Sequence, residues 1–555
     1  MRPKHPGRLV GSALAVGVVA ALAAVGAGPI SRALPVPAVA DDAVSVQVTP
    51  GPLTLICPPA PARPAGADLG YEQFAPQPGP LSGHLGAAGA GVLEAWLTDD
   101  GHRYDLPEAG GLAHWTAPPP TAGPVGVFSF QPAPAAGMHA AATFAAASPS
   151  GDLRGLAAAA CVTPAATQWL LGGNTEVGST AVLTIQNPGV QPAVVTLRAF
   201  GSMGPVVLGG QGQLLVPAGG YEQVLLEAIA PGQRFLAVEV NATGSRVGAH
   251  LQTQALEGLL PRGVDLLAPT APPAEQSVIA GIVSGGEPLG DPHAPVLRLL
   301  APPPAAEHRD GGVMQAPGAA EAGEVVTAEL TLFGPAGRTV LPGAETVTLE
   351  PGVVTEVSLG GLTAGDYVAV INADAPVVAG AAFTRFGAEA EDSLITGRPT
   401  DVAWIGAQPL PAIGEAGQVA LPGGLRARLV LTALPEGGET ASEEPAGEAP
   451  AEGEAATAVI FAYPPGGAVA QVTELTLYPG IIESLYLPMA AGRQPLLLVV
   501  ETAGGLPVTW ALELTADDGS MEPERLISVV VPVRAQVASG VVRVREQTVG
   551  GSLVP

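Results

Sequence analysis

Short apolar runs with every second residue polar, punctuated by Gly and Pro, recur along this chain. Three stretches line up. The first, from Val194, reads VVTLRAFGSMGPVVLGGQGQLLVPAGGYEQVLLEAI; the second, from Ala328, reads AELTLFGPAGRTVLPGAETVTLEPGVVTEVSL; the third, from Ala458, reads AVIFAYPPGGAVAQVTELTLYPGIIESLYL. Each opens with a strand-like run ending in an aromatic residue (Phe200, Phe333, Tyr463) and a Gly/Pro turn. A second run follows, closed by Pro217, Pro351 or Pro479, and then a third with period-2 alternation, as at Val353, Val357 and Leu359. Alternation between Gly/Pro turns is the pattern of half-buried antiparallel strands. The segments FLAVEVNATGSRVGAHLQT, YVAVINADAPVVAGAAFTR and LLLVVETAGGLPVTWALEL come next and read as three hairpins. Beyond each stands an arginine, Arg262, Arg398 or Arg525, at nearly the same offset from its proline. The repeat is therefore roughly 130 residues long, the length of one β domain.

The N-terminal part carries a weaker echo of the repeat. ATFAAASPSGDLRGLAAAACV, from Ala142, resembles the hairpin and ends at Cys161; Cys57 closes an apparent first strand, LTLIC. No sustained 3.6-residue apolar stripe occurs outside the N-terminal segment. The predicted fold is all-β: tandem immunoglobulin-like β-sandwich modules behind an N-terminal signal or anchor helix. The predicted divisions are a signal peptide or membrane anchor over 1–40, an N-terminal β module over 41–165, and sandwich repeats over 166–290, 291–410 and 411–555. Pro-rich stretches from Pro58 and Ala301 read as linkers or long loops. Inside the third repeat, residues 437–455 hold no hydrophobe larger than Ala and many carboxylates, and so predict a solvated acidic loop.

Charge changes the picture at the N-terminus. Arg2, Lys4 and Arg8 precede an uncharged run from Leu9 to Ile30, and about 20 helical residues suffice to span a bilayer. Positive charge on the short flank places the rest of the chain outside the cytoplasm. Ala38-Val39-Ala40 before Asp41 fits a small-residue cleavage site, so a cleaved signal and a retained anchor both stand. No later segment reads as a second span, and membrane contact is expected only through this one. The formal net charge of −27 argues against nucleic acid, whose phosphates require Lys and Arg. The expected location is extracytoplasmic, either anchored or secreted. In an oxidising compartment Cys57 and Cys161 are expected to form a disulfide; two buried thiols are the alternative.

A family resemblance rests on particular residues. Cys161, Pro164, Trp169 and Gly172-Gly173 lead into a strand ending Asn187-Pro188-Gly189. LEGLLPRGVDLLAPTAPP, from Leu256, then presents Pro261, Gly263, Val264 and Asp265 before a Pro-rich tail. From Cys57 to Ile282 the chain resembles an actinobacterial family of exported, N-terminally anchored proteins catalogued as a domain of unknown function. The resemblance implies an extracytoplasmic protein, often encoded near cell-envelope glycan genes, and carries over no active residues. Leu170-Leu171 depart from the aromatic residues more typical there, which weakens an aromatic ligand platform at that point.

Most catalytic chemistry finds no carrier. The one lysine, Lys4, lies in the export segment, which excludes a P-loop, a Schiff-base lysine and a kinase-type lysine from the mature chain. No histidine or cysteine stands at metal-ligand spacing, and no cofactor motif occurs. Asp99-Asp100-Gly101 and Asp517-Asp518-Gly519 match the Asp-Gly turn signal better than a glycosidase pair. The repeated Arg262, Arg398 and Arg525 suggest one structural role per module, with an anion site as the functional alternative. Three functions remain. The first is a non-catalytic extracytoplasmic cell-envelope protein acting as structural spacer or interaction scaffold, its partner an envelope protein or glycan. The second is a cell-wall polysaccharide-binding accessory protein, with Trp115 as the candidate glycan contact. The third is an envelope hydrolase with a dispersed active site.

Overall fold

The computed structural model describes residues 44–48, 52–63, 81–88, 91–97, 103–104, 112–117, 126–132, 139–303, 324–389, 397–422, 424–435, 455–463, 470–487, 497–518, 525–534 and 540–544. The expected helix over 1–40 and the acidic loop, apart from Ala455, lie outside these residues. Nearly every described element is a strand; helix is limited to single turns at Gly209–Gly212 and Leu226–Ile229. None of the described helices is long and apolar enough to cross a membrane.

The chain forms two compact units. The smaller holds both chain ends, where Val44–Val48 pairs antiparallel with Gly540–Val544. The larger, Pro50–Ala538, contains four copies of one two-sheet module. In each, the first, sixth, third and fourth strands form one sheet in that order, and the fifth, second, seventh and eighth form the other. The N-terminal echo is thus a full fourth copy, with its strands between Leu53 and Ala160. Two copies carry local variations: the second and third split their fourth strand, and the third fuses its sixth and seventh into one continuous strand, Gly365–Phe386.

Two sequence expectations need correction. The three segments read as hairpins are crossings between sheets. Ala237–Thr243 pairs in the first sheet of the second module, whereas Gly248–Glu257 pairs in its second sheet. Gly365–Phe386 does the same within a single strand. Local alternation cannot tell a hairpin from a crossover, because both reverse or redirect the chain at a polar turn. Ala274–Ser284 pairs with Gly365–Phe386, so the third pair of sheets begins before residue 291.

Burial follows from the pattern. The third strands of the second and third modules, Ala193–Gly201 and Val326–Gly334, share one burial sequence, with alternate residues exposed before a buried end. One face of each covers its own core and the other meets water. The seventh and eighth strands behave differently. His139–Ser148, Gly155–Ala160 and Leu526–Val530 are buried almost throughout. A strand apolar on both faces needs cover on both, and a neighbouring module supplies it. Trp169, Leu171 and Ala237 of the second module pack on Leu300, Val354 and Val378 of the third. Ala511, Ile527 and Val529 of the fourth join the core of the third. Ala420, Leu497 and Val499 of the fourth meet Ala141 of the first. Leu153, Ala157 and Ala159 of the first pack on Val264 and Leu266 of the second, so the succession closes on itself and the four modules form a ring.

Candidate functional site

The eighth strands, Gly155–Ala160, Leu260–Leu267, Thr400–Gly406 and Leu526–Val530, lie side by side around the centre of the ring. Small residues permit the approach, most plainly in the run GLAAAA. Three residues after Arg262, Arg398 and Arg525 stand Asp265, Asp401 and Ser528, all fully buried. Asp401 Oδ2 accepts from the backbone N–H of Leu156 at 2.9 Å and of Ile527 at 2.8 Å, joining the third module to the first and fourth. Asp265 Oδ2 accepts from Trp404 N at 2.8 Å, and its Oδ1 from Ser528 Oγ at 2.9 Å. Each carboxylate also folds back on the N–H of its own successor, Leu266 or Val402. Glycine is required beside them. Gly263 has φ +108°, and a Cβ there would lie 2.6 Å from Val402 N and 3.0 Å from Asp401 Oδ1.

Burial raises the pKa of Asp401 to about 7, against the pull of the Ile527 and Leu156 N–H donors and the Arg154 charge. Burial also raises Asp265 well above the usual carboxylate range, and the neighbouring Asp401 charge adds to this. Paired carboxylates with raised pKa values often mark acid–base catalysts. Here neither side chain has exposed surface, and the adjoining cavity, lined by Ala158, Leu266, Trp404 and Val529, measures about 30 Å³. That is room for one water. The pair acts as a clasp: its oxygens satisfy backbone donors from strands of different modules that no sheet pairs.

The arginines extend the clasp at one end of the strands. Arg262 Nη1 donates to the Arg398 carbonyl at 3.3 Å and pairs with the exposed Glu257. Arg398 Nε donates to Gly387 O at 3.0 Å, and Arg525 Nη1 to Phe386 O at 2.8 Å. Sequence reasoning missed the fourth member, Arg154, in the same place before Gly155. It is the most buried of them. It donates to Thr400 O at 3.3 Å and pairs with Asp518 at 2.8 Å, both partners at most 5% exposed. The string Arg154-Gly155 repeats Arg262-Gly263, a signal legible in hindsight. Asp518, read as a turn residue, is the buried counter-charge.

A cleft of about 300 Å³ opens between the second and third modules. Arg298, only 6% exposed, crosses it. Its Nε donates to Glu356 Oε2 at 2.8 Å and its Nη1 to Gly173 O. Its guanidinium lies 4.6 Å from the Trp404 ring centre and 5.0 Å from that of Phe235. Burial lowers the Arg298 pKa, opposed by Glu356 and reinforced by the nearby Arg234. No single segment announces this site, because its walls come from two modules.

The remaining predicted residues fall elsewhere. Cys57 and Cys161 form a disulfide that ties the first strand of the first module to its last. Trp115 belongs to the strand Leu112–Ala117, opposite Gly83; its side chain lies outside the described residues. His250 is buried with Nε2 3.3 Å from Ala160 O, and burial lowers its pKa to about 4. Among the described residues no group of three or more His, Cys, Asp or Glu is placed to hold a metal ion. The signature of one family, described as a family of unknown function (DUF5719), matches residues 125–463. No curated protein and no solved structure matches the chain.

Proposed function

The chain belongs to that family of unknown function, DUF5719, and on this premise we propose that it is a non-catalytic interaction scaffold of the actinobacterial cell envelope. In this reading the N-terminal segment exports the protein and either holds it at the membrane or is cut. The four modules, taken as immunoglobulin-like sandwiches, then act as one rigid body that presents its outer sheet edges and loops to an envelope protein or glycan.

The buried clasp carries the reading. The two carboxyls whose pKa burial raises, Asp265 and Asp401, are spent on joining strands of different modules and have no exposed surface. A closed ring also suits a scaffold better than a spacer, since a spacer gains reach from modules strung end to end. The disulfide agrees with an oxidising compartment.

Fractionation and surface crosslinking of the full chain in its producing cell tests the proposal. The expected result is recovery in the envelope or medium, with discrete crosslinked adducts. Retention in the cytoplasm would overturn export. Hydrolysis of wall polysaccharide by the purified chain would replace the scaffold with an enzyme.

A further inference from the structure

The cleft between the second and third modules is lined by Arg234, Arg262 and Arg298 together with Glu176 and Glu356, and the repeat explains why one of these arginines is left without an ion pair among the described residues. Phe200 and Phe333 occupy the same place in their modules and face Ala237 and Val368. Counting back from those partners puts Phe235 where the third module has Asp366. At the junction of the third and fourth modules, Asp366 and Glu513 both receive Arg428, and Glu513 also receives Arg385 at 3.3 Å. Two cations there meet two carboxylates. At the junction of the second and third modules an aromatic ring replaces the first carboxylate. Arg298 and Arg234 lie 5.0 and 5.3 Å from the centre of that one ring. Glu356 answers Arg298. Arg234, which is exposed, has no ion-pair partner among the described residues.

We propose that this cleft binds a small acidic ligand, a carboxylate or phosphate on a hydroxylated body the size of one sugar ring, with its oxyanion between Arg234 and the Nη2 edge of Arg298. The Nε and Nη1 groups of Arg298 are committed to Glu356 and Gly173, and Nη2 is left to donate. A guanidinium held by packing presents its remaining Nη2 group as a single charge-assisted donor to an oxyanion, and Arg234 supplies the second. The cleft volume of about 300 Å³ sits at the small end of ligand sites. Asn174 and Gln254 line it with side-chain amides that can bond hydroxyl groups. Recognition runs through charge and not through stacking. Arg298 covers one face of Trp404, and Gly172 packs so close that a Cβ there would lie 2.7 Å from the ring. The inference stands apart from the scaffold reading, because it concerns what the cleft holds wherever the protein resides.

The test is calorimetric titration of the full chain with glucuronate, glucose 6-phosphate and neutral glucose. Binding of either acid, with glucose silent, is expected, and the acid that binds identifies the carboxylate or phosphate source. Arg234→Glu should weaken that binding at least about tenfold, the loss of one charge-assisted contact. Its unfolding midpoint should not move, since the side chain is exposed. Glu356→Gln removes the internal competitor and should tighten binding. Silence with both acids, equal binding of glucose, or an Arg234→Glu variant that binds like the parent would each overturn the proposal.

Discussion

Replacing Asp401 by asparagine preserves the shape of the side chain and removes its proton chemistry. In the unfolded chain this carboxyl has a pKa of 3.8; in the fold burial lifts it to about 7. Between those values the folded chain holds a proton that the unfolded chain has released. The stability this group contributes is therefore complete below pH 3.8 and is lost as pH climbs through 7. At ~1.4 kcal/mol per pH unit, tapering near the folded pKa, the step from pH 5 to pH 7 costs about 2 kcal/mol. His250 works in the opposite sense. Its pKa falls from 6.5 to about 4 on folding, so its contribution grows over the same step by about 2 kcal/mol. The parent profile sums such opposing contributions, and the informative quantity is the difference between variant and parent at each pH, in which His250 cancels. An amide keeps one acceptor oxygen and turns an NH2 toward a backbone donor, so Asp401→Asn should lie below the parent at pH 5, but with no proton to lose it should gain about 2 kcal/mol on the parent between pH 5 and pH 7. Asp265 reinforces the trend, because the Asp401 charge helps to raise its pKa. Urea unfolding followed by fluorescence of the buried Trp169 and Trp510 measures both chains at both pH values. A variant-minus-parent difference that stays constant, or moves against the variant, refutes burial as the dominant influence on this carboxyl.

Three further outcomes follow from the same geometry. Arg154→Met strips the buried Asp518 of its guanidinium and should lower stability by about 3–5 kcal/mol, read from the denaturation midpoint; a shift below 1 kcal/mol would show that the pair is solvated. Gly263→Ala forces a side chain onto φ +108° and against Val402 N, at a cost of about 1–3 kcal/mol. Gly232→Ala, at φ +71° with open space around it, is the control for conformational strain alone and should cost about 1–2 kcal/mol. Cys57→Ser opens a link between residues 104 apart in sequence and should cost about 4–5 kcal/mol in the chain-entropy model. Hydrogen exchange should rise first in the strands from Leu53 to Ala160; a rise spread evenly over the four modules would contradict a local role.

Period-2 alternation and Gly/Pro punctuation were enough to establish an all-β chain, because a strand exposes alternate residues on opposite faces and this shows in the letters themselves. The repeat, the two cysteines and the three arginines at one offset were legible for the same reason: each is a matter of order along the chain. Arg154 and the Arg-x-x-Asp spacing shared by Arg262-Asp265 and Arg398-Asp401 were also present as letters. Their meaning was not, since Asp401 bonds to Leu156 and Ile527, more than 120 residues away on either side.

Only the tertiary structure decided which strands share a sheet. VNATGSRVG and NADAPVV look like hairpin turns because polarity at a bend says nothing about which partner lies beyond it. Ring closure was equally hidden. The continuous apolar runs of the seventh and eighth strands require cover on both faces, but a neighbouring module, a second copy or a separate helix would satisfy that requirement equally well. The cleft around Arg298 depends on one substitution in register, Phe235 for Asp366, whose effect exists only where two modules meet. Sequence thus determined the elements, through local sterics and the period of hydrophobicity; long-range packing alone determined the centre they enclose and the charge left open between them.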